Sequence, residues 1–206
     1  MNANLILRRL RMLSPRQLMD ALRPHHMDEL LFVSKESPKI YPHRLSSSVS
    51  IKCFSVEHPS GIDVIDKRLT AHRLAYVVFY CGEIIHENWL TFDTLLPSQF
   101  GFDSRIPVVG YGFTAPQYRG KGVCPYALSY LLNDMIDRNI SCKAYTIVSP
   151  TNSASIRAVE KGGFELIAQL RGLRVLGGLL INKSTIRFPA LSSAGSLSAT
   201  SQSLRS

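Results

Sequence analysis

The chain contains 206 residues, of which 45% are hydrophobic, 19% charged and 9% aromatic. This composition is that of one globular domain with enough apolar residues for a core, and it excludes collagen-like, coiled-coil and wholly disordered proteins. The formal net charge of +9 favours a polyanionic partner, a class that includes nucleic acids, anionic lipids and phosphate-rich cofactors or substrates.

The first thirteen residues are basic and contain no acid. Arg8, Arg9 and Arg11 interrupt the apolar run that a secretory signal requires. We interpret residues 1–13 as a solvated arm or a short packed helix, with contact to a membrane surface as the alternative. No apolar run is long enough for a transmembrane helix. The four cysteines form no Cys-x-x-Cys pair, which favours a reduced, cytoplasmic protein.

Residues 1–48 are predicted to form a basic N-terminal extension with one short helix and one short strand. The helix is predicted to begin at Ser14, which is followed by a proline, and the strand covers residues 30–33. His25 and His26 have no third ligand at metal-binding spacing, so we predict a turn there and no metal site.

Regular patterning begins at residue 49 and continues to residue 187, the predicted boundaries of the main domain. A helix is predicted within residues 63–73. Strands are predicted at 49–56, 74–80, 84–92 and 107–115, and the second of them has the unbroken apolar run of a strand buried on both faces.

The second half of the domain begins with a long helix at 121–139, since apolar residues repeat there at four-residue spacing. A strand at 144–148 follows, and then a helix with Asn152 or Thr151 as its N-cap that ends at Gly162. An antiparallel pair of strands that turns at Arg171 and Gly172 comes next. The predicted class is mixed α/β (α+β), with a mostly antiparallel central sheet and a strand–helix–strand crossover. Residues 188–206 are predicted to be a serine-rich disordered tail.

A glycine-rich turn precedes the long helix. Gly120 and Gly122 flank Lys121, and such a turn at a helix N-terminus exposes backbone N–H groups that bind a pyrophosphate. A plain structural loop is the alternative. Pro125 stands where a dinucleotide-binding motif has its third glycine, and no Gly-Lys-Ser/Thr of a nucleoside triphosphatase is present.

Two motifs resemble a known family. The run QYRGKG at residues 117–122 resembles the Gln/Arg-x-x-Gly-x-Gly/Ala signature of the GNAT superfamily of CoA-dependent N-acyltransferases. The helix that begins at Asn152 and ends in EKGGF, residues 160–164, resembles the second motif of that family. The resemblance covers residues 49–181 and implies a GNAT-like fold, with helices flanking the sheet and the CoA site on the crossover.

The resemblance implies that acetyl-CoA is the acyl-donor substrate. In such a site the turn holds the pyrophosphate, the preceding strand pairs with the pantetheine amides, and the second motif lies beside the thioester. The residues implied to bind the donor are Phe113, Thr114, Gln117, Tyr118, Arg119, Gly120, Lys121, Gly122, Val123, Asn152 and Ser155.

Direct attack of an amine on the thioester, without an acyl-enzyme, is implied in the same way. His86 and Glu87 are the candidate general bases, on opposite faces of the strand at 84–92, and a purely structural role is the alternative for each. Asp93 is a further candidate. All three remain open at this stage.

The general acid is less clearly defined. Val159 occupies the position where many GNAT members have a tyrosine that protonates the leaving thiolate. Tyr126 and Tyr145 are the candidate replacements, and unaided departure of the thiolate is the alternative.

The sequence therefore predicts an N-acetyltransferase. The basic charge favours a nucleotide-linked amino sugar as acceptor, and the glycine turn also resembles GNAT proteins of bacterial surface-polysaccharide pathways. A small amine and a protein lysine stay open as acceptors.

A non-catalytic acyl-CoA-binding module is the alternative that Val159 favours. No nucleic-acid partner is expected, because the basic residues are not interleaved with aromatics, and a homodimer is compatible with these features.

Overall fold

A computed structural model of the chain describes residues 25–36, 38–45, 48–175 and 179–188. The predicted arm at 1–13, the helix predicted at Ser14 and the tail predicted beyond residue 188 lie outside these described residues. None of the helices in the described ranges has the length and apolar character needed to cross a bilayer.

Eight strands form one sheet in the order β2-β3-β4-β5-β6-β1-β7-β8. The neighbours β5 and β6 are parallel, and the other neighbouring pairs in the described sheet are antiparallel. This arrangement confirms the predicted class and the crossover. The strands are β1 (His25–Ser34), β2 (Val49–Phe54), β3 (Arg73–Tyr80), β4 (Glu83–Thr91), β5 (Val108–Thr114), β6 (Tyr145–Val148), β7 (Phe164–Val175) and β8 (Leu179–Arg187).

The helices lie in the connections between strands. The short helices are α1 (Asp63–Asp66) and α2 (Leu95–Gln99), and the long ones are α3 (Val123–Asp137) and α4 (Ser153–Lys161). Of the helix predicted within residues 63–73, only the first turn forms. A 3₁₀ turn at Pro116–Tyr118 links β5 to the glycine turn.

The first described strand corrects the predicted domain boundary. β1 lies inside the sheet, between β6 and β7, and its Leu31 and Phe32 are fully buried. Residues 25–34 therefore belong to the main domain, and a division at residue 48 does not separate them from it. The turn predicted at His25 and His26 is also wrong, because both residues pair with β7.

The closing pair of strands turns later than the sequence predicts. Arg171 and Gly172 lie within β7, opposite Asp28 and Met27 of β1, and β7 continues to Val175, which pairs with Leu179 of β8. The Arg171 guanidinium contacts the Asp28 carboxylate at 3.4 Å across the two strands. The inserted strand β1 thus lengthens β7, since it supplies a partner along most of its length.

Helix α3 covers the sheet with an almost entirely apolar face. Leu128, Leu131, Leu132 and Met135 are buried at one-turn intervals, in contact with core residues of the sheet that include Tyr76. Burial of each such side chain stabilises the fold by about 1.5–3 kcal/mol relative to exposure. The helix is therefore held in a fixed position over β3, β4 and β5.

Residues 38–45, which we call the crossing segment, run across α3. The carbonyl of Pro38 accepts a hydrogen bond from the Asn133 amide at 2.9 Å, and the Tyr41 N–H donates to Ser129 Oγ at 2.9 Å. Farther along, the Arg44 N–H donates to the Lys121 carbonyl at 2.9 Å. These bonds tie the segment to the helix and to the glycine turn.

Pairing between β5 and β6 stops after two residue pairs, Val108 with Tyr145 and Val109 with Thr146. Just beyond, Tyr111 has a left-handed backbone with φ of 53°, and the register between β4 and β5 shifts there. The bend carries the end of β5 away from β6. A gap in the sheet results, beside the start of α3.

The contact between Gly163 and the crossing segment gives a test of this packing. Gly163 has φ of +100°, and a Cβ there would lie 2.5 Å from the Pro38 Cβ. We expect Gly163→Ala to lower the free energy of unfolding by roughly 2–4 kcal/mol, through backbone strain and overpacking together. Urea denaturation measures the change.

Gly110→Ala is the matched control, because a Cβ at Gly110 meets no atom within 4 Å and its φ is not left-handed. Its effect is expected to stay below about 1 kcal/mol. Equal losses in the two variants would contradict the packing described here.

Candidate active site

A cleft of about 640 Å³ lies where β4 begins, β5 ends and α3 and α4 begin. The structure brings most of the predicted donor-binding residues together in this cleft. They are Phe113, Thr114, Tyr118, Arg119, Gly120, Gly122, Val123, Asn152 and Ser155. Gln117 and Lys121 do not line it. Gln117 is exposed on the 3₁₀ turn, and the Lys121 ammonium lies 5.2 Å from the centre of the Tyr118 ring.

The glycine turn forms the floor of this cleft. Gly120 and Gly122 have φ of +75° and +78°, in the left-handed region that favours glycine. The backbone N–H groups of residues 120–124 form no hydrogen bond of standard geometry with described residues. Gly122 is the N-cap of α3 and supplies no side-chain cap. The turn therefore offers several free donors together with the positive end of the helix dipole.

Close packing requires glycine at residue 122 as well. A Cβ there would lie 3.1 Å from the Pro42 carbonyl oxygen and 3.4 Å from the Tyr41 ring. With a Cβ at residue 122, the crossing segment would have to move away from the turn by a few tenths of an ångström. Tyr41 and Arg44 then extend into the cleft as part of its lining.

The lining of the cleft is strongly cationic. It contains Arg44, Arg119, Arg157 and Lys161, and no Asp or Glu is among its residues. Arg119 is oriented by a hydrogen bond from its Nε to the Thr114 carbonyl at 3.0 Å. The charge of this cleft is suited to a ligand with several negative charges.

The start of α4 forms the opposite wall. The Asn152 side-chain oxygen caps the helix by accepting a hydrogen bond from the Ser155 N–H at 3.1 Å. Asn152 is one of the two N-caps that the sequence predicts, and Thr151 is the other. The cap fixes Asn152 and Ser155 at the edge of the cleft, so both are placed where a bound donor would pass.

His86 is the candidate base that reaches the cleft. Its side chain is 1% exposed, and Nδ1 lies 2.7 Å from Thr114 Oγ1 on the facing strand. Nε2 has no hydrogen-bond partner among the described residues. Burial lowers the pKa of His86 to about 4, with the Asn88 amide opposing the shift. At neutral pH the imidazole is therefore uncharged, and with its proton on Nδ1 it has a free lone pair on Nε2.

Glu87 points to the other face of the sheet, as the alternation of the strand predicts. Its carboxylate forms an ion pair with Arg68 at 2.6 Å, and the Arg68 guanidinium stacks on Trp89 with 4.3 Å to the ring centre. Asp93 pairs with His72 at 2.9 Å on the surface. Neither carboxylate lines the cleft. Of the three candidate bases, the structure brings His86 alone to it.

The candidate acids do not lie in the cleft. Tyr126 packs edge-on against His43 at 4.7 Å between ring centres, and Tyr145 is buried against Phe102. Val159 lies on the buried face of α4 and packs in the core. The hydroxyl groups that do line the cleft belong to Tyr41, Thr114, Tyr118 and Ser155.

Several lining residues are missing from the sequence-based prediction. Tyr41 and Arg44 come from the predicted extension, where no local motif marks them. Arg157 and Lys161 could have been found, because they follow Ala154 at three- and four-residue steps on one face of α4. Cys124 also lines the cleft, and burial raises the pKa of its thiol to about 11, which keeps it protonated.

Comparison with solved structures finds proteins of similar fold. A GNAT-family acetyltransferase from Colwellia psychrerythraea is 10% identical, with a TM-score of 0.47, and the match covers 73% of this chain and 57% of that one. A GCN5-related N-acetyltransferase-like protein from Streptococcus suis is 13% identical, with a TM-score of 0.45 over 73% of this chain and 62% of that one. The chain thus spans less than two thirds of the length of either protein.

A predicted acetyltransferase from Clostridium acetobutylicum, solved with acetyl-CoA, is 19% identical, with a TM-score of 0.39 over 57% of this chain and 90% of that one. No protein-family model matches the sequence, and no curated protein matches it either. With identities this low and TM-scores below 0.5, we transfer no activity from those proteins to this chain.

The low pKa of His86 gives a test that needs no ligand. The unfolded chain takes up a proton at this residue below about pH 6.5, whereas the folded protein does so only near pH 4. Stability therefore falls as the pH drops through this window, by roughly 3 kcal/mol from this one group. In His86→Gln, which cannot titrate, we expect that part of the loss to disappear.

Urea unfolding of both proteins at several pH values between 7 and 4 measures the difference. The comparison uses the change with pH, so a constant loss of stability in the variant does not affect it. An identical pH dependence in the two proteins would mean that His86 is not held neutral in the fold.

Proposed function

We propose that this chain is an acetyl-CoA-dependent N-acetyltransferase in which a primary amine attacks the thioester directly. The observation that carries the proposal is the set of free backbone donors at residues 120–124, on the floor of a cleft with four cationic side chains and no carboxylate. A phosphorylated ligand fits the four cations, and the free N–H donors together with Arg119 suit a diphosphate within that ligand.

The pantetheine arm would extend from the turn along β5. Beyond Val109 this strand has no partner on its β6 side, so its backbone polar groups there are available to an extended ligand. Pairing of the pantetheine amides with the backbone near Phe113 would act as an added strand. The thioester would then lie near His86 and Thr114, which face one another across β4 and β5.

The reaction would need little covalent participation by the protein. The amine nitrogen forms a bond to the thioester carbon, the carbon–sulfur bond breaks, and the nitrogen loses one proton. We assign the proton acceptor to Nε2 of His86, directly or through water. An imidazole of low pKa is a weak base, but the nitrogen that has added to the carbonyl is positively charged and gives up its proton far more readily than a free ammonium does.

The leaving group would depart as a thiolate. Thiols have pKa values near 8.5 in water, so a thiolate is a competent leaving group without a dedicated acid. Burial of Val159 in the core agrees with a mechanism that uses no acid at this position. The same observation supports the second candidate function, a module that binds acyl-CoA without turnover.

The acceptor remains the prediction drawn from the sequence. A nucleotide-linked amino sugar fits the net charge of +9, with small amines and protein lysines as the other classes. Release of thiol from acetyl-CoA in the presence of each class identifies the acceptor. Tight binding of acetyl-CoA without turnover on any class would favour the non-catalytic module.

The donor site is tested by Gly120→Glu, which would place a side chain and a negative charge against the diphosphate. We expect the affinity for acetyl-CoA, measured by isothermal titration calorimetry, to fall by at least about 100-fold through repulsion and lost hydrogen bonds. Gly101→Glu is a matched control, because Gly101 has nearly the same φ, +79°, with open space around it and a position outside the cleft. Equal affinity for acetyl-CoA in the two variants would mean that the glycine turn is not part of the binding site.

The base is tested by comparing His86→Gln with Glu87→Gln at limiting amine. We expect the first change to lower the rate by about 100-fold or more, with the affinity for acetyl-CoA nearly unchanged, since general-base catalysis contributes about 10²–10⁴-fold. Glu87→Gln is expected to stay near the wild-type rate, because Glu87 faces away from the cleft. A large loss in the second variant alone would reverse the assignment.

A further inference from the structure

We propose that the cleft holds a second phosphate subsite, built by Arg44 of the crossing segment with Arg157 and Lys161 of α4, that recognises a phosphomonoester on the donor. This inference rests on the proposed function, since coenzyme A carries such a group on its ribose in addition to its diphosphate. Of its three residues, Arg44 lies outside both sequence motifs, whereas Arg157 and Lys161 lie on the helix of the second motif.

The charges of the cleft exceed what a diphosphate requires. A diphosphate diester carries two negative charges, and these are matched by the free N–H groups of residues 120–124 together with Arg119. Three cations remain, on two other elements of the fold. A phosphomonoester adds about 1.5–2 negative charges at neutral pH, which is the charge that the remaining cations suit.

The three cations have no carboxylate partner within the described part of the chain. Arg68, Arg105, Arg138 and Arg171, by contrast, each pair with an Asp or Glu at 2.6–3.4 Å. Like charges that share one cleft repel one another, and no Asp or Glu of the described residues lines the cleft beside them. A bound anion would supply the missing counter-charge.

Backbone contacts fix where these cations lie. The Arg44 N–H donates to the Lys121 carbonyl, so Arg44 is held directly beside the glycine turn. On α4, Arg157 and Lys161 are one turn apart, which places them on the same helix face. Ala154 and Ala158 share the lining with them and leave room because their side chains are small.

A separate observation indicates that this cleft takes a ligand. His86, which is 1% exposed, lines the same cleft with Nε2 unpartnered among the described residues. A buried polar atom without a partner is unfavourable in the free protein, and a ligand that satisfies it removes that cost. The cations therefore surround a cavity that is built for binding, and are not a scattered surface patch.

The test compares coenzyme A with dephospho-coenzyme A, which lacks only the phosphomonoester. By isothermal titration calorimetry we expect wild-type protein to bind coenzyme A about 10- to 100-fold more tightly. Arg44→Ala is expected to remove most of this preference while the affinity for dephospho-coenzyme A stays within about 2-fold. Raising the salt concentration should reduce the preference in the wild type.

Lys39→Ala is the matched control, since Lys39 is an exposed cation of the same segment that does not line the cleft. It is expected to keep the wild-type preference. If Arg44→Ala does not fold, Arg157→Ala and Lys161→Ala test the same subsite from α4, where both side chains are exposed. Thermal unfolding of each variant checks the fold.

The outcomes separate this inference from the proposed function. Equal binding of the two ligands by wild-type protein would overturn the phosphomonoester subsite and leave the donor site in place. Loss of affinity for both ligands in Arg44→Ala would assign Arg44 to the diphosphate and overturn the subsite as well. Failure of wild-type protein to bind either ligand would overturn the proposed function and this inference together.

Discussion

The separation of β5 from β6 is the constraint on which the candidate site depends. Two neighbouring parallel strands would normally continue to pair, and the backbone N–H and C=O groups between them would then be hydrogen-bonded to one another. Here pairing ends at Val109 and Thr146, and the left-handed residue Tyr111 turns β5 away. The glycine turn and α3 follow directly after this bend, so their free donors open onto the same gap. In the proposed donor site, strand pairing and ligand binding would compete for one set of backbone groups, and the bend leaves those groups unpaired with β6.

Contacts distant in sequence complete the site. The crossing segment is more than seventy residues away from the glycine turn along the chain, yet its backbone hydrogen-bonds to Lys121 and its Pro42 carbonyl fits against Gly122. Gly122 therefore meets two requirements at once, a left-handed φ and room for a second chain segment. A larger side chain would fail on both counts. The walls of the cleft and the packing of the domain are the same set of contacts.

The sequence predicts the parts of this structure that local chemistry controls. The apolar spacing of α3, the glycine turn and the Asn152 cap each depend on residues within one or two turns of the chain, and all three form as expected. The CoA-binding roles of these residues remain proposals. The position of β1 is different, because nothing in residues 25–34 specifies which strands will flank them. Their place between β6 and β7 follows from long-range pairing that hydrophobic patterning does not encode.

The prediction of a turn at Arg171 and Gly172 is wrong for the same reason, because long-range strand pairing determines the structure there. An Arg-Gly pair between two apolar runs is typical of a turn, but the insertion of β1 supplies a pairing partner at that point and the strand continues. Asp28 of β1 then provides a carboxylate for Arg171. A local turn preference of about 1 kcal/mol is smaller than the gain from several additional cross-strand pairs.

Register between β4 and β5 explains why one candidate base reaches the cleft and the other does not. Thr114 lies opposite His86, and the Thr114 hydroxyl is 2.7 Å from Nδ1 of the imidazole. This contact orients the ring and leaves Nε2 without a hydrogen-bond partner among the described residues. A shift by one residue would exchange His86 for Glu87 and bring a charged carboxylate into the cleft. Strand alternation alone predicts that the two residues lie on opposite faces. The choice between the faces depends on the packing of α3 against one side of the sheet, which puts the glycine turn on the side of His86 and leaves Glu87 with Arg68 and Trp89 on the other.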